Sequence, residues 1–252
     1  MHKFTKPENW NLLPLYKKVE IYGSTLTENY SKYVDKIEVK KYIENVNNIF
    51  KINIKVATVI KILKDIDDID EKDINDNYII KSSHASGWNI DTKYIKNINI
   101  IKLYLNFWNK TYKVDNLNEP QYQFIKPRFF IEHKIHDKYS KDINGNALVY
   151  MVRCLNGKPF SIRVKDYMNK SSSYDTDWNI IDINELNIDK PKNLNMLLKY
   201  ASILSIPFEF VRVDFYIDKN DDVYLSEYTF TPSGGLKVFS DNIENEYGKL
   251  WN

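Results

Sequence analysis

Hydrophobic and polar positions alternate with a period of two along Phe210-Val-Arg-Val-Asp-Phe-Tyr216 and again in the segment from Val223 to Gly235, with a run rich in turn residues, Ile217-Asp-Lys-Asn-Asp-Asp222, between them. The pattern predicts two strands joined as a hairpin. Side chains on a strand alternate faces, so Arg212, Asp214 and Tyr216 share one face of the first strand. Glu227, Thr229 and Thr231 share one face of the second. Upstream, Val34, Ile37, Val39 and Ile43 form an apolar stripe that predicts helix within 26–50, and the β-branched run 56–63 predicts a strand. An acidic segment reaching Asp76 reads as a loop, and Tyr78 to Trp88 reads as strand, turn, strand. A helix is expected within 94–110, carrying Leu103, Leu105, Phe107 and Trp108, and an apolar strand over Arg128 to Ile135. After a loop near Asn144-Gly145, Ala147–Cys154 and Pro159–Val164 form a hairpin closed by Leu155-Asn-Gly-Lys158, Asn-Gly being the strongest short hairpin signal. Residues 192–205 are amphipathic and helical, entered through Pro191. This is an α+β pattern with largely antiparallel strands and no regular βαβ alternation, which argues against a doubly wound nucleotide fold.

Composition narrows the function classes. The 252 residues are 43% hydrophobic and 14% aromatic, enough for a sizeable core, and Lys+Arg 36 against Asp+Glu 34 leaves a formal charge of +2. Nothing in that balance calls for a polyanion, so no nucleic-acid partner is expected. The lone Cys154, expected on a buried strand, has no internal disulfide partner, and no Cys/His cluster has zinc spacing. The N-terminal residues lack the apolar core of a signal peptide, and no stretch approaches the ~18 apolar residues of a membrane span. A cytoplasmic location is the resulting expectation.

Three segments carry candidate chemistry, each with an ordinary alternative. Asp214 and Glu227 on paired strands suit Mg²⁺, which takes one or two carboxylates plus substrate phosphates. They equally suit a strand pair whose acids meet Arg212 or a lysine. Lys81 precedes the small-residue loop Ser82-Ser-His-Ala-Ser-Gly87, which reads as a phosphate cradle or as a plain hairpin turn with His84 as a turn residue. Glu132-His-Lys-Ile135 ends an apolar strand, either as a hinge that meets an adenine edge or as a solvated strand end.

In this order the segments resemble the ATP-grasp fold and more closely its TupA-like branch, over about Tyr33 to Gly248. The resemblance rests on Asp35-Lys36, Ile80-Lys-Ser-Ser-His-Ala-Ser-Gly87, Ile131-Glu132, Leu155-Asn-Gly-Lys-Pro159, Asp175-Thr-Asp-Trp178, Lys190-Pro191, Val211 to Tyr216 and Glu227 to Gly234. It implies two α+β subdomains with largely antiparallel sheets that grip a nucleotide between them. The implied organisation is an N-terminal region over 1–75, a small subdomain over 76–135 with flap and hinge, and a metal-binding subdomain over 136–252. It further implies ATP and Mg²⁺ as cofactors. Lys81 would contact the α- and β-phosphates and Ser83, His84, Ser86 and Gly87 would close over the triphosphate. Glu132, the His133 carbonyl and the Ile135 N–H would hold adenine, and Asp214 and Glu227 would bind metal beside Arg212. Thr229 stands where many relatives have Asn, and its hydroxyl still suits a metal site. Val149-Tyr-Met151 stands where the branch has Asp-Tyr-Lys, and Arg153, two residues on and on the same strand face, is the expected replacement for the missing cation. The implied reaction joins a carboxylate, on a uronic-acid-containing surface polysaccharide or its precursor, to an amine through an acylphosphate. Lys36, Lys40, Tyr167 and Trp178 are candidates for an acidic sugar or for a solvated face and core aromatics. A phosphotransferase and a non-catalytic nucleotide-binding protein are the alternatives.

Overall fold

The computed structural model describes residues 4–112, 119–140, 146–184 and 186–252; the loop expected near Asn144-Gly145 lies outside them. The helices are α1 (Leu15–Gly23), α2 (Ser31–Val34), α3 (Glu38–Phe50), α4 (Ile98–Trp108), α5 (Leu194–Ser205) and α6 (Asp241–Leu250). The strands are β1 (Lys55–Val56), β2 (Val59–Leu63), β3 (Tyr78–Ser82), β4 (Asn89–Asp91), β5 (Phe129–His133), β6 (Val149–Leu155), β7 (Lys158–Lys165), β8 (Ser171–Tyr174), β9 (Ile180–Asn184), β10 (Phe210–Ile217) and β11 (Val223–Thr229). Two compact units result. The smaller holds the described residues of Glu28–Lys113 and Gln121–Ile135, and the larger those of Met1–Thr27, Val114–Pro120 and His136–Asn252. The region expected over 1–75 is divided between them: residues 28–75 cluster with the small unit and the described residues before them with the large one. Among the described residues no helix is long and apolar enough to cross a membrane.

In the small unit the antiparallel strands run β2-β5-β3-β4. Ile80, Ile90, Phe129 and Ile131 on one face pack with Ile101, Leu105 and Trp108 of α4. Leu103 and Phe107, grouped with the helix's apolar positions from sequence, are instead 70% and 65% exposed. Helix α4 is apolar nearly all round, so periodicity alone does not select its buried face. The expected helix within 26–50 is broken at Asp35, whose carboxylate accepts the Ile37 and Glu38 amides and so starts α3. The acidic loop before Asp76 is two single turns, in which Asp65 with Asp68 and Asp70 with Asp73 cap the backbone reciprocally.

In the large unit the strands run β11-β10-β6-β7-β8-β9, each antiparallel to its neighbour. Asn156 and Gly157 turn β6 into β7 with φ of 46° and 78°, the paired positive values that a two-residue hairpin requires. Val211, Val213 and Phe215 of β10, Val152 and Cys154 of β6, and Ile162 and Val164 of β7 are buried on the face carrying α5. Leu197, Ala201 and Leu204 face that sheet from the helix. Strand β11 contains a bulge: Glu227 pairs with Asp214 but Leu225 pairs with Phe215, leaving Ser226 as the extra residue. Leu225 thus lies on the core side, while Glu227, two residues later, lies with Asp214.

Helices α1 and α6 close the large unit. Lys18, fully buried, donates to the carbonyls of Gly248 and Trp251 at 2.8 Å each, a cation on the carbonyl end of α6. Burial pushes its pKa down to about 8, with nearby Lys6 adding to the effect. The helices meet at Gly248, where an added Cβ would lie 2.4 Å from the Leu13 carbonyl oxygen. Gly248→Ala is therefore expected to destabilise the protein by about 1–3 kcal/mol despite alanine's better helix propensity, read as a lowered Tm in a thermal melt.

Candidate active site

The face of the large sheet opposite α5 carries charge. Cross-strand register lines up Glu227, Asp214, Met151, Arg163, Ser173 and Asp182 from β11 to β9. The adjacent row is Thr229, Arg212, Arg153 and Ser161. The predicted facing of Asp214 and Glu227 is thus met, with the bulge placing the second acid.

Arg212 clamps Asp214 with a fork, Nε to Oδ1 at 2.7 Å and Nη2 to Oδ2 at 2.6 Å. The same Nη2 donates to Thr229 Oγ1 at 3.0 Å and lies 4.0 Å from Glu227 Oε1. Asp214 is enclosed, and burial together with the Glu227 charge raises its pKa against the pull of Arg212. Among the described residues no group of three or more His, Cys, Asp and Glu side chains is placed to hold a metal alone. Two adjacent carboxylates with a hydroxyl are an oxygen donor set that fits Mg²⁺ when phosphate and water complete the shell.

Met151 stands directly opposite Asp214, so a thioether occupies the expected place of a cation. Arg153, the expected replacement, is corrected by the structure. Its guanidinium lies 4.7 Å over the Phe239 ring, almost wholly enclosed and beside Glu244, and Nη1 has no hydrogen-bond partner. Burial, and then the charges of Arg212 and Arg163, push its pKa down to about 9. A side chain so enclosed cannot contact substrate in this arrangement. Two cations that went unremarked in the sequence lie on the same face, Arg163 next to Met151 in register and Lys165 two residues on. Their signal is the alternation of Ser161-Ile-Arg-Val-Lys165, whose apolar members face the core.

In the small unit, β3 and β5 bring Lys81 to Glu132, Nζ to Oε1 at 2.5 Å. Lys40 of α3 reaches the other oxygen at 2.9 Å and also donates to the Ala57 carbonyl. Glu132 is almost fully buried, and burial alone would raise its pKa, but the two lysines hold it below the usual carboxylate range. The two carboxylate oxygens of the residue expected at adenine thus each meet one lysine. Lys40 and Lys36 are likewise engaged, the latter with the Ala85 carbonyl, and neither presents an open face to a sugar. Trp178 stacks on Tyr174 at 4.2 Å, and Tyr167 is exposed on the β7–β8 turn.

The loop after Lys81 is buried at its start. Ser83 and His84 are fully enclosed, while Ser86 is half-buried and Gly87 exposed, with φ of 73°. His84 Nδ1 accepts the Arg128 amide and meets Ser82 Oγ at 2.9 Å, which assigns the proton to Nε2, 3.1 Å from the Trp108 carbonyl. The ring also packs against Trp88 and Phe129, and burial lowers its pKa. His84 is thus a core residue that ties the loop to α4 and β5, and its side chain is removed from the phosphate-contacting set. At the hinge, the His133 amide donates to Thr58 and its exposed ring meets Tyr78 edge-on, while Ile135 ends the unit.

The chain belongs to the TupA-like ATP-grasp family, whose pattern it matches over residues 13–251. Among solved structures it is similar to the D-alanine–D-alanine ligase of Bacillus anthracis complexed with ATP, at 14% identity over 86% of this chain and 63% of that one, TM-score 0.49. It is also similar to D-alanyl-alanine synthetase A of Vibrio cholerae (13% identity, 86% and 60% covered, TM-score 0.44). A third is the L-amino acid ligase of Bacillus licheniformis (9% identity, 81% and 41% covered, TM-score 0.44). The chain spans between 41% and 63% of the length of these three. No curated protein matches it.

Removing one partner of a buried ion cluster leaves uncompensated charge, so Glu132→Gln is expected to cost about 3–5 kcal/mol near neutral pH. Because the folded-state pKa is depressed, the contribution is complete above the ordinary value of 4.5 and is lost as pH falls through the lower folded value. Paired thermal melts should show a constant gap between wild type and variant above about pH 5 that narrows below 4.5.

Proposed function

We propose that this protein is an ATP-dependent, ADP-forming carboxylate–amine ligase acting on a uronic-acid-containing surface polysaccharide or its precursor. The observation that carries the reading is the Asp214–Glu227 pair, matched in register on one face with the Arg212 fork between them and Thr229 beside them. Membership of the TupA-like ATP-grasp family supports it independently.

In this reading the acceptor carboxylate oxygen attacks the γ-phosphorus of ATP, and the bond to the β-bridging oxygen breaks with its electrons left on ADP. The amine then adds to the acylphosphate carbonyl, phosphate leaves, and the amine's proton passes to solvent or phosphate. Magnesium held by Asp214, Glu227 and Thr229 would supply charge neutralisation on the phosphates. Arg212, its Nε and Nη2 held by Asp214, would add positive charge beside the phosphoryl oxygens, and Lys81, steered by Glu132, would offer a point charge to the α- and β-phosphates. Ser86 and Gly87 form the exposed tip of the loop expected over the triphosphate, and the His133 carbonyl and Ile135 N–H are the backbone groups expected at adenine. No protein nucleophile is needed, in keeping with a Cys154 that is buried with its thiol pKa pushed up to about 12. Catalysis rests on positioning and electrostatic stabilisation.

Asp214→Asn and Lys81→Ala are each expected to lower ADP release by about 100-fold or more while the far-UV circular dichroism stays that of wild type. The assay is ADP detection with Mg²⁺-ATP against crossed panels of uronic acids and amines, followed by mass spectrometry of products. Wild-type rates in either variant would remove the assignment. The placement of Met151 opposite Asp214 favours a second reading, a nucleotide-binding protein without turnover. Its signature is a Tm raised by Mg²⁺-ATP with no ADP formed for any acceptor.

A further inference from the structure

Arg163 and Lys165 stand on β7 with no carboxylate within ion-pair reach among the described residues. Arg163 donates through Nε and Nη2 to Ser171 Oγ at 3.2 and 2.8 Å, so a neutral hydroxyl fixes its fork. Ser171 is itself buried and lies opposite Lys165 in the ladder. Both cations are half-buried, and burial lowers the pKa of each; Arg212 pushes both further down and Arg163 adds to this at Lys165, while Asp182 opposes it at Arg163 and Asp214 and Asp166 at Lys165. Cations shielded from water without a closely paired carboxylate are costly, and an arriving anion lowers the cost.

Their placement says where such an anion sits. Arg163 occupies the same row as Asp214 and Glu227, separated from Asp214 only by Met151. Two inter-strand spacings put the Arg163 backbone about 10 Å from that of Asp214, and Lys165 follows about 7 Å along the strand. Ser171 holds the Arg163 guanidinium on the β8 side of its strand, while Lys165 lies within electrostatic reach of both Arg212 and Asp214. The guanidinium N–H groups that Ser171 does not take suit a carboxylate, and the lysine adds a second charge on the same strand face.

We propose that Arg163 and Lys165 form the subsite that holds the carboxylate of the acid substrate beside the metal-binding acids. The assignment deepens the ligase reading and rests on it for the identity of the ligand as an acid to be activated. It also accounts for Met151: the positive charge missing from the central strand is supplied from the neighbouring one, and the thioether forms a non-ionic floor between the acids and the cations.

The test is equilibrium binding of D-glucuronate, with glucose as the neutral control, to the Mg²⁺-ADP-loaded protein by titration calorimetry. Wild type, Arg163→Gln, Arg163→Lys and Lys165→Met are compared after a thermal melt confirms folding. Wild type is expected to prefer glucuronate to glucose. Arg163→Gln and Lys165→Met should each weaken glucuronate at least 10-fold with Mg²⁺-ADP affinity held within 2-fold, and Arg163→Lys should retain part of the binding. If Arg163→Gln does not fold, Lys165→Met decides the matter alone. Unchanged glucuronate affinity in the variants, no preference for glucuronate over glucose in wild type, or a loss that falls on Mg²⁺-ADP instead would overturn the subsite. Tight, variant-sensitive glucuronate binding with no ADP release for any amine would uphold the subsite and remove the ligase reading.

Discussion

A strand has two faces, and β10 divides them completely between the core and charge. Val211, Val213 and Phe215 are sealed under α5, and the residues between them, Arg212 and Asp214, must therefore project to the other side. Burying the first set is favourable by roughly 1.5–3 kcal/mol per large side chain, which fixes the register strongly and makes slippage costly. The charged set inherits that rigidity. Cross-strand neighbours on β6, β7 and β11 are then determined in turn, so a hydrophobic constraint on one side sets the geometry of an electrostatic surface on the other.

The small unit solves a related problem with fewer charges. Glu132 sits between core residues Phe130 and Ile131 on one side of the chain and the exposed His133 on the other. Its carboxylate is tolerable there because Lys81 and Lys40 each take one oxygen. The lysine expected to meet phosphate is thus held by a neighbour rather than left to sample rotamers. His84 belongs to the same economy of positioning: its ring spends both nitrogens on the backbone and holds the loop's first half in the interior.

Much of this was legible in the residues. The Asn156-Gly157 turn, the alternation of β10, and the part of the predicted stripe that falls on α3, Val39 and Ile43, each carry a local signal that tertiary packing reinforces. The strand β8 did not announce itself, because Ser171-Ser-Ser-Tyr174 has little β-propensity and is stabilised by ladder neighbours distant in sequence. Arg153 was expected at the site, and Arg163 went unremarked, for a similar reason. Both follow the period of two, and only the placement of Phe239 and Glu244 shows that the first is covered, while the second has its guanidinium on a serine with Asp182 nearby but unpaired. His84 stood in a run of small polar residues that looked like a surface turn, and only the aromatic neighbours supplied by α4 and β5 reveal it as interior.

The extra residue at Ser226 deserves a separate reading in terms of chain length. Without it, Leu225 and Glu227 would fall on the same side of β11, since side chains two apart in a regular strand point alike. A chain shortened by one residue at that point would turn either the leucine out to solvent or the glutamate into aliphatic carbon beneath α5. Exchange of the serine for another small residue leaves the count intact. This stretch is therefore indifferent to which residue fills the slot and intolerant of losing the slot itself.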